Sequence, residues 1–283
     1  MRCFFSCIDD VAVAVSPVYK DVPLRRPLKS LEEQPELLDL PLSAVSVMAS
    51  HNTYIRTLQH MSEATVDGIR IALNLGCRCL ELDVYRDGAE VFVAHGKEEK
   101  PRDIITTTRL PLADALRYIA SNAWAYTTDP IFLALELNVH SEAEASNTIA
   151  RELLAAFGNR LYTGPLDSSV RLRDLIGRVV LMCGGGAGGS HLPLLMNVSW
   201  NETFQNIPSV ANPANLNGVG TAIRVYPAGD FRGALSLNFD PTPFLQNGST
   251  FCALNVCCDD DAMRAALAWY ATSSFIRKPV RSV

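Results

Sequence analysis

No stretch of this chain is apolar for long enough to cross a bilayer, which takes ~20 consecutive residues. A signal-peptide core is missing too, because Asp9-Asp10 interrupts the N-terminus and the apolar run at 11–15 is too short. Arg2 stands where N-myristoylation needs glycine. Dense cationic blocks are absent: 25 Lys and Arg face 30 Asp and Glu, a net charge of −5, which argues against nucleic acid as the partner. The eight cysteines lack zinc-type pairing. Cys77 and Cys79 alternate in a strand-like run and Cys257-Cys258 sit inside an apolar one, so they read as small buried hydrophobes of a reducing compartment. Charge is sparse (19%) and hydrophobic residues plentiful (48%), which allows a large core. Histidine is scarce, five in all, so the setting of each is informative.

Four short apolar runs in the first half each end in histidine or in acid and amide residues. Ala44-Val45-Ser46-Val47-Met48 leads to Ser50-His51-Asn52, and Cys77-Arg78-Cys79-Leu80 to Glu81-Leu82-Asp83. Val91-Phe92-Val93-Ala94 leads to His95-Gly96, and Ile131-Phe132-Leu133-Ala134-Leu135 to Glu136. Buried strands whose polar groups gather at their C-terminal ends are how a parallel α/β barrel builds an active site.

Helical patterns alternate with these runs. The spacing predicts helices over 63–75, ended by Gly76, over 112–122, and over 142–157, where Ser141 and Glu144 form a capping box and Gly158 ends the helix. Thr221 to Tyr226 and Phe251 to Cys257 read as strands, and Asp259-Asp260-Asp261 caps a last helix over 262–271. The alternation means βα units and a mainly parallel sheet. The expected fold is α/β: a (β/α)8 TIM-type barrel, regular or distorted, in two halves. Residues 1–40, broken by four prolines, form a peripheral arm, and the barrel takes 41–283, with halves 41–183 and 199–283. The Gly-rich stretch within 184–198 lacks the Lys-Ser/Thr ending of a phosphate loop and reads as a flexible connector.

Glu81 and Asp83, two apart on a strand, point to one face, which Cys77 and Cys79 share. Glu136 and Asn52 add oxygens from neighbouring strand ends. An all-oxygen set with three carboxylates selects Ca²⁺ or Mg²⁺ over zinc. Converging carboxylates repel one another and would repel an anionic phosphate, and a divalent ion resolves both problems. His51 and His95 remain as groups that titrate near neutrality and exchange protons with phosphoryl oxygens or hydroxyls. His60, His140 and His191 read as ordinary structural histidines. The inventory suits phosphodiester chemistry.

These strings, in order, resemble the catalytic barrel of eukaryotic phosphoinositide-specific phospholipase C: Ser50-His51-Asn52-Thr53-Tyr54, Gly76-Cys77-Arg78-Cys79-Leu80-Glu81-Leu82-Asp83, His95-Gly96 and Leu135-Glu136. The second half is similar through Arg224-Val225-Tyr226-Pro227-Ala228-Gly229, Ser236-Leu237-Asn238-Phe239-Asp240-Pro241, Ala253-Leu254-Asn255 and Arg277-Lys278-Pro279. The resemblance implies that His51 and His95 are the catalytic histidines and that Asn52, Glu81, Asp83 and Glu136 hold Ca²⁺. Glu81 or Asp83 would be the base for the inositol 2-hydroxyl, and Ser199, Arg224 and Tyr226 would contact the inositol ring and its 4-phosphate. The implied reaction is attack of the 2-hydroxyl on phosphorus, expelling diacylglycerol, then hydrolysis of the cyclic phosphate. The implied partner is a phosphoinositide at a membrane surface, met by a cytoplasmic, peripheral protein expected to be a monomer.

Several departures carry consequences. The family's two lysines that read the 4- and 5-phosphates fall on Met182 and Gly184, which tilts the expected substrate toward phosphatidylinositol or its monophosphate. Glu136 is followed by Leu137-Asn138-Val139-His140, where the family has Asn-His directly. The connector lacks a long acidic stretch, so little autoinhibition is expected. With no room for accessory domains, recruitment would rest on the barrel rim, an acylated Cys3 or Cys7, or a partner. Two other readings are weighed. A glycerophosphodiester phosphodiesterase also has a His…Glu-x-Asp…His barrel, but usually carries Arg where Asn52 stands. A non-catalytic phosphoinositide-binding scaffold would have lost catalytic positions, and all six are present.

Overall fold

The computed structural model describes residues 19, 21, 23–57, 62–96, 104, 106–139, 142–189, 191–200, 204–216, 222–228 and 238–279. The strands are β1 (Val45–Ser50), β2 (Cys79–Asp87), β3 (Glu90–Val93), β4 (Leu110–Pro111), β5 (Ile131–Asn138), β6 (Val179–Gly185), β7 (Val198–Ser199), β8 (Phe204–Pro208), β9 (Ala222–Tyr226), β10 (Phe251–Leu254) and β11 (Phe275–Arg277). The helices are α1 (Pro35–Leu38), α2 (Val66–Leu75), α3 (Leu112–Asn122), α4 (Ala143–Phe157), α5 (Leu192–Leu195), α6 (Thr242–Gln246) and α7 (Asp261–Trp269).

Eight strands run parallel in the order β7-β6-β5-β2-β1-β10-β9-β8, which is the chain order wound into a barrel. Among the described residues no ladder joins β7 to β8. β3 and β4 extend β2 as an antiparallel flap. β11 runs antiparallel to β1. The Val47 amide donates to Thr250 and the Met48 amide to Ser274, so β10 and β11 lie on opposite sides of β1.

Alternation along each strand divides the core in two. On β5, Ile131, Leu133, Leu135 and Leu137 enter the outer layer between sheet and helices, while Phe132 and Ala134 fill the barrel interior. The next inward position is Glu136. On β2, Leu80, Leu82 and Val84 go outward and Cys79 inward, so Glu81 and Asp83 continue the inward row toward the C-terminal mouth. Burial on both faces is why these strands are apolar runs rather than alternating ones. Cys77 precedes β2 and packs in the outer layer, so it does not share the face of Cys79. The six described cysteines are buried thiols.

The N-terminal end of the barrel is closed by Leu31, Leu37, Leu42, Leu172 and Leu175, all in the interior cluster. Residues 23–40, expected as a peripheral arm, therefore contribute to the core. Arg26 donates to the carbonyls of Leu75, at the end of α2, and of Leu267 and Tyr270, at the end of α7. Arg78 caps Ala123 beyond α3 with both terminal nitrogens. Two arginines thus satisfy the orphan carbonyls of three helices, where the helix dipoles favour cations.

The expected elements meet the structure with small shifts. α2 and α3 form as predicted, with Gly76 left-handed at φ 99° after α2. The last helix is capped by the Asp260 side chain on the Met263 amide. Ser141 lies outside the described residues, and α4 begins after Glu142, whose side chain makes no cap; Glu144 instead pairs with Arg86. Gly184 and Gly185 continue β6, so the connector starts later than expected. The strand expected through Cys257 stops at Leu254, because Asn255 opens a turn closed by the Cys258 amide on its carbonyl. No described helix is long and apolar enough to cross a membrane.

Candidate active site

The loop after β1 is fixed by two close contacts with β2 and one with the end of β1. Thr53 donates its amide to the Glu81 carbonyl (3.0 Å), accepts the Glu81 amide on its hydroxyl (2.9 Å), and shares a hydrogen bond with the Ser50 hydroxyl (2.6 Å). Gly68 on α2 lets the helix close on this loop: a Cβ there would lie 2.5 Å from the Thr53 carbonyl oxygen. Asn52, held at φ 45°, is the one non-glycine residue with positive φ among those described. Asparagine tolerates that conformation better than other side chains. It turns the Asn52 amide to the Glu81 carboxylate (N to Oε2, 3.0 Å).

Glu81, Asp83 and Glu136 each present an oxygen, and the three lie within 4.8 Å of one another. β2 and β5 pair with Asp83 opposite Glu136. Glu81 and Asp83 are buried and Glu136 is exposed. The Tyr54 hydroxyl donates to Asp83 (2.8 Å) and lies 3.1 Å from the Asn52 side-chain oxygen. Burial, then the Asp83 charge, pushes the Tyr54 phenol well up, so it stays a donor.

The histidines flank the acids. His51 Nε2 lies 3.7 Å from Glu81, and its Nδ1 is 2.8 Å from the side-chain oxygen of Asn255. An amide oxygen only accepts, so this contact puts the proton on Nδ1. Burial lowers the His51 pKa, with Glu81 opposing and Arg224 reinforcing. His95 Nδ1 lies 3.5 Å from Asp83 and 3.3 Å from the Asn52 side-chain amide. Three carboxylates with a net negative charge suit Ca²⁺, and the two imidazoles stand beside that set rather than within it.

Of the three expected substrate contacts, Arg224 and Tyr226 come to this end of the barrel. Arg224 is buried, pairs through Nη2 with Glu81, and donates through Nη1 to Asn206 (2.9 Å). The Tyr226 ring lies 5.4 Å from the guanidinium. Ser199 ends β7 opposite Cys183, and it is the neighbouring Trp200 whose ring reaches Arg224, at 5.1 Å. Sequence reasoning missed three residues: Asn255, Asn206 and Trp200. For Asn255 the available signal is an amide ending the apolar run Phe251–Leu254. His191 is exposed and bonds Asn147 (3.0 Å), in keeping with a structural reading. His60, His140, Cys3 and Cys7 lie outside the described residues.

A family model for the X domain of phosphatidylinositol-specific phospholipase C matches residues 38–183. The chain is 34% identical over 129 residues to 1-phosphatidylinositol 4,5-bisphosphate phosphodiesterase delta-4 of Homo sapiens, a match covering 45% of this chain and 16% of that protein. It is 30% identical over 135 residues to 1-phosphatidylinositol 4,5-bisphosphate phosphodiesterase 1 of Saccharomyces cerevisiae, covering 45% and 15%. These matches thus span less than a fifth of the relatives' length. Among solved structures, PLC21 of S. officinalis superimposes with a TM-score of 0.74 at 21% identity, covering 86% of this chain and 37% of that one. A calcium-dependent phosphoinositol-specific phospholipase C of a Pseudomonas species gives 0.52 at 13% identity, covering 86% and 97%. At these identities the structural likeness concerns the fold.

Proposed function

The chain belongs to the phosphatidylinositol-specific phospholipase C X-domain family, and on that footing we propose that it is a calcium-dependent phosphoinositide phospholipase C releasing diacylglycerol from phosphatidylinositol or its phosphates. The observation that carries this reading is the meeting of Glu81, Asp83 and Glu136 within 4.8 Å, with His51 and His95 at 3.7 and 3.5 Å from the first two.

Asn52, Glu81, Asp83 and Glu136 would hold the ion. When bound, Ca²⁺ supplies positive charge to offset that of the phosphodiester and to acidify a hydroxyl. Glu81 takes the proton of the inositol 2-hydroxyl, which then attacks phosphorus and forms the cyclic phosphate. The Arg224 guanidinium pairs with the Glu81 carboxylate and fixes its position for this task. His51, oriented by Asn255, faces the phosphoryl oxygen where charge builds. His95, its Nδ1–H directed at Asp83, gives the diacylglycerol oxygen its proton from Nε2 and takes one from water when the cyclic phosphate opens. General acid-base groups of this kind contribute about 10²–10⁴-fold each.

Arg224, Tyr226 and Ser199 are assigned to the inositol headgroup by family position, and the first two stand together at this end of the barrel. With Met182 and Gly184 at the positions of the family's phosphate-reading lysines, the preferred substrate is phosphatidylinositol or its monophosphate. The protein acts as a monomer, peripherally on cytoplasmic membranes.

The test is hydrolysis of vesicle-borne phosphatidylinositol and its 4,5-bisphosphate with titrated Ca²⁺ or chelator, beside His51→Ala. Calcium-dependent release of inositol phosphates, lost in the variant, is expected. A folded protein that turns over neither lipid at any calcium level would instead be a headgroup-binding scaffold or a glycerophosphodiesterase.

A further inference from the structure

We propose that Trp200 is the specificity-determining residue of the headgroup pocket, giving the inositol ring an aromatic wall where a phosphate would need cations. The inference rests on the phospholipase reading and narrows its substrate class to inositol rings with free hydroxyls on that edge.

Three observations carry it. First, a Cβ at Gly184 would lie 2.0 Å from Cε3 of Trp200 and 2.5 Å from Cδ2 and Cζ3. No side chain can project from position 184 while the indole stays, so the indole occupies the room a cation would use. The Trp200 amide donates to the Cys183 carbonyl (2.9 Å), which anchors the ring there. Second, position 182, the next inward place on β6, is Met182, wholly buried in the apolar interior. Third, the cation beside the indole is already engaged. Arg224 directs one terminal nitrogen to Glu81 and the other to Asn206, with its Cζ 5.1 Å from the Trp200 ring.

The physical consequence is a sign preference. A phosphomonoester on the ring carries about −1.5 to −2 charge at pH 7 and must exchange its water for cations or amides. The face of an indole is the negative end of its quadrupole: it repels such a group and accepts the C–H face of a cyclitol. Unphosphorylated hydroxyls keep their neighbouring water and incur no such penalty. Phosphatidylinositol is therefore favoured over the 4,5-bisphosphate.

The experiment compares initial rates on vesicles of phosphatidylinositol, its 4-phosphate and its 4,5-bisphosphate for the wild type, W200F, W200A and W200A/G184K. The wild type should cleave phosphatidylinositol faster than the bisphosphate. W200A should shift the ratio at least tenfold toward the bisphosphate, W200A/G184K further, and W200F should stay near the wild type. A ratio within twofold of wild type in an active W200A, or a wild-type preference above tenfold for the bisphosphate, overturns the proposal. Should W200A fail to fold by circular dichroism, W200L takes its place with the same criteria. A second readout is indole emission on titration with inositol 1-phosphate and with inositol 1,4,5-trisphosphate. The monophosphate should perturb the wild type but not W200F, and the trisphosphate should perturb neither at the same concentration; equal responses overturn the proposal. Loss of turnover on every lipid with this emission response intact would instead refute the phospholipase reading.

Discussion

Arg224 and Glu81 are 143 residues apart in the chain and form an ion pair in which each side chain is only 1% exposed. The pair joins β9 in the second half of the barrel to β2 in the first and holds the acid nearest His51 in place. Removing one partner of such a pair leaves an uncompensated buried charge, at about 3–5 kcal/mol. Arg224→Met should lose stability of that order in chelator. Saturating Ca²⁺ should recover more of it than it adds to the wild type, and Arg224→Met/Glu81→Gln should lose less than the two single changes together. Urea unfolding with and without calcium reads all three; an Arg224→Met as stable as wild type in chelator would show that the pair does not matter.

Calcium should stabilise the folded protein through the acid cluster. Binding to the folded state alone adds about 2.7 kcal/mol at a hundred times Kd. Asp83→Asn/Glu136→Gln should lose most of the calcium-dependent rise in Tm while keeping Tm in chelator near or above the wild-type value, because repulsion among the acids is relieved. A rise of wild-type size in the variant would place the ion elsewhere.

The histidines separate by role. His95→Ala should cut kcat by about 10²–10⁴-fold with little change in Tm, since His95 contacts the acids from a partly exposed position. A leaving group that needs no protonation, such as a nitrophenyl ester of inositol phosphate, should lose far less. Equal losses on both substrates would remove His95 from the acid role.

Asn255 acts through His51. Its side-chain oxygen lies 2.8 Å from Nδ1, and misplacement of a catalytic group by 1 Å can cost about 10²-fold. Asn255→Ala should lower kcat with KM nearly unchanged, and Asn255→Asp should move the alkaline limb of the pH–rate profile upward by favouring the imidazolium. An unshifted profile in Asn255→Asp would reduce Asn255 to a structural residue.

Lys278 gives a pH dependence of stability. Its amine is buried, donates to the Thr250 hydroxyl (2.8 Å), and burial lowers its pKa to about 7 from the ordinary lysine value of 10.5. Between those values the unfolded chain binds the proton and the folded one does not, so this group's contribution makes stability rise with pH across that window. Below about pH 7 the folded state carries the full penalty, and above 10.5 none. Lys278→Met should therefore stabilise most near pH 6.5 and progressively less toward pH 10. A difference that is flat with pH would contradict the assignment.

Much of the site was legible because barrel strands buried on both faces print their ends in the sequence. Where Leu80 and Leu135 give way to Glu81 and Glu136, an apolar run stops and a carboxylate follows. What the sequence withheld depends on distant segments meeting. Cys77 shares its parity with Cys79, yet β2 starts only at Cys79, so Cys77 packs outside. Residues 23–40 read as an arm because prolines divide them, but Leu31 and Leu37 close the barrel floor. Trp200 follows Ser199 without any local signal, and only the neighbouring β6 glycine explains its place.

By itself, the chain's pattern of short apolar runs and polar endings determined an α/β barrel, the acids Glu81, Asp83 and Glu136, and the pair His51 and His95. Local periodicity and residue chemistry suffice for these, since each strand end is set by its own neighbours. Only the tertiary structure decided that Asn255 orients His51, that Arg224 holds Glu81, and that Trp200 fills the space at Gly184. These are contacts between strands far apart in the chain, and their geometry comes from the closing of the barrel.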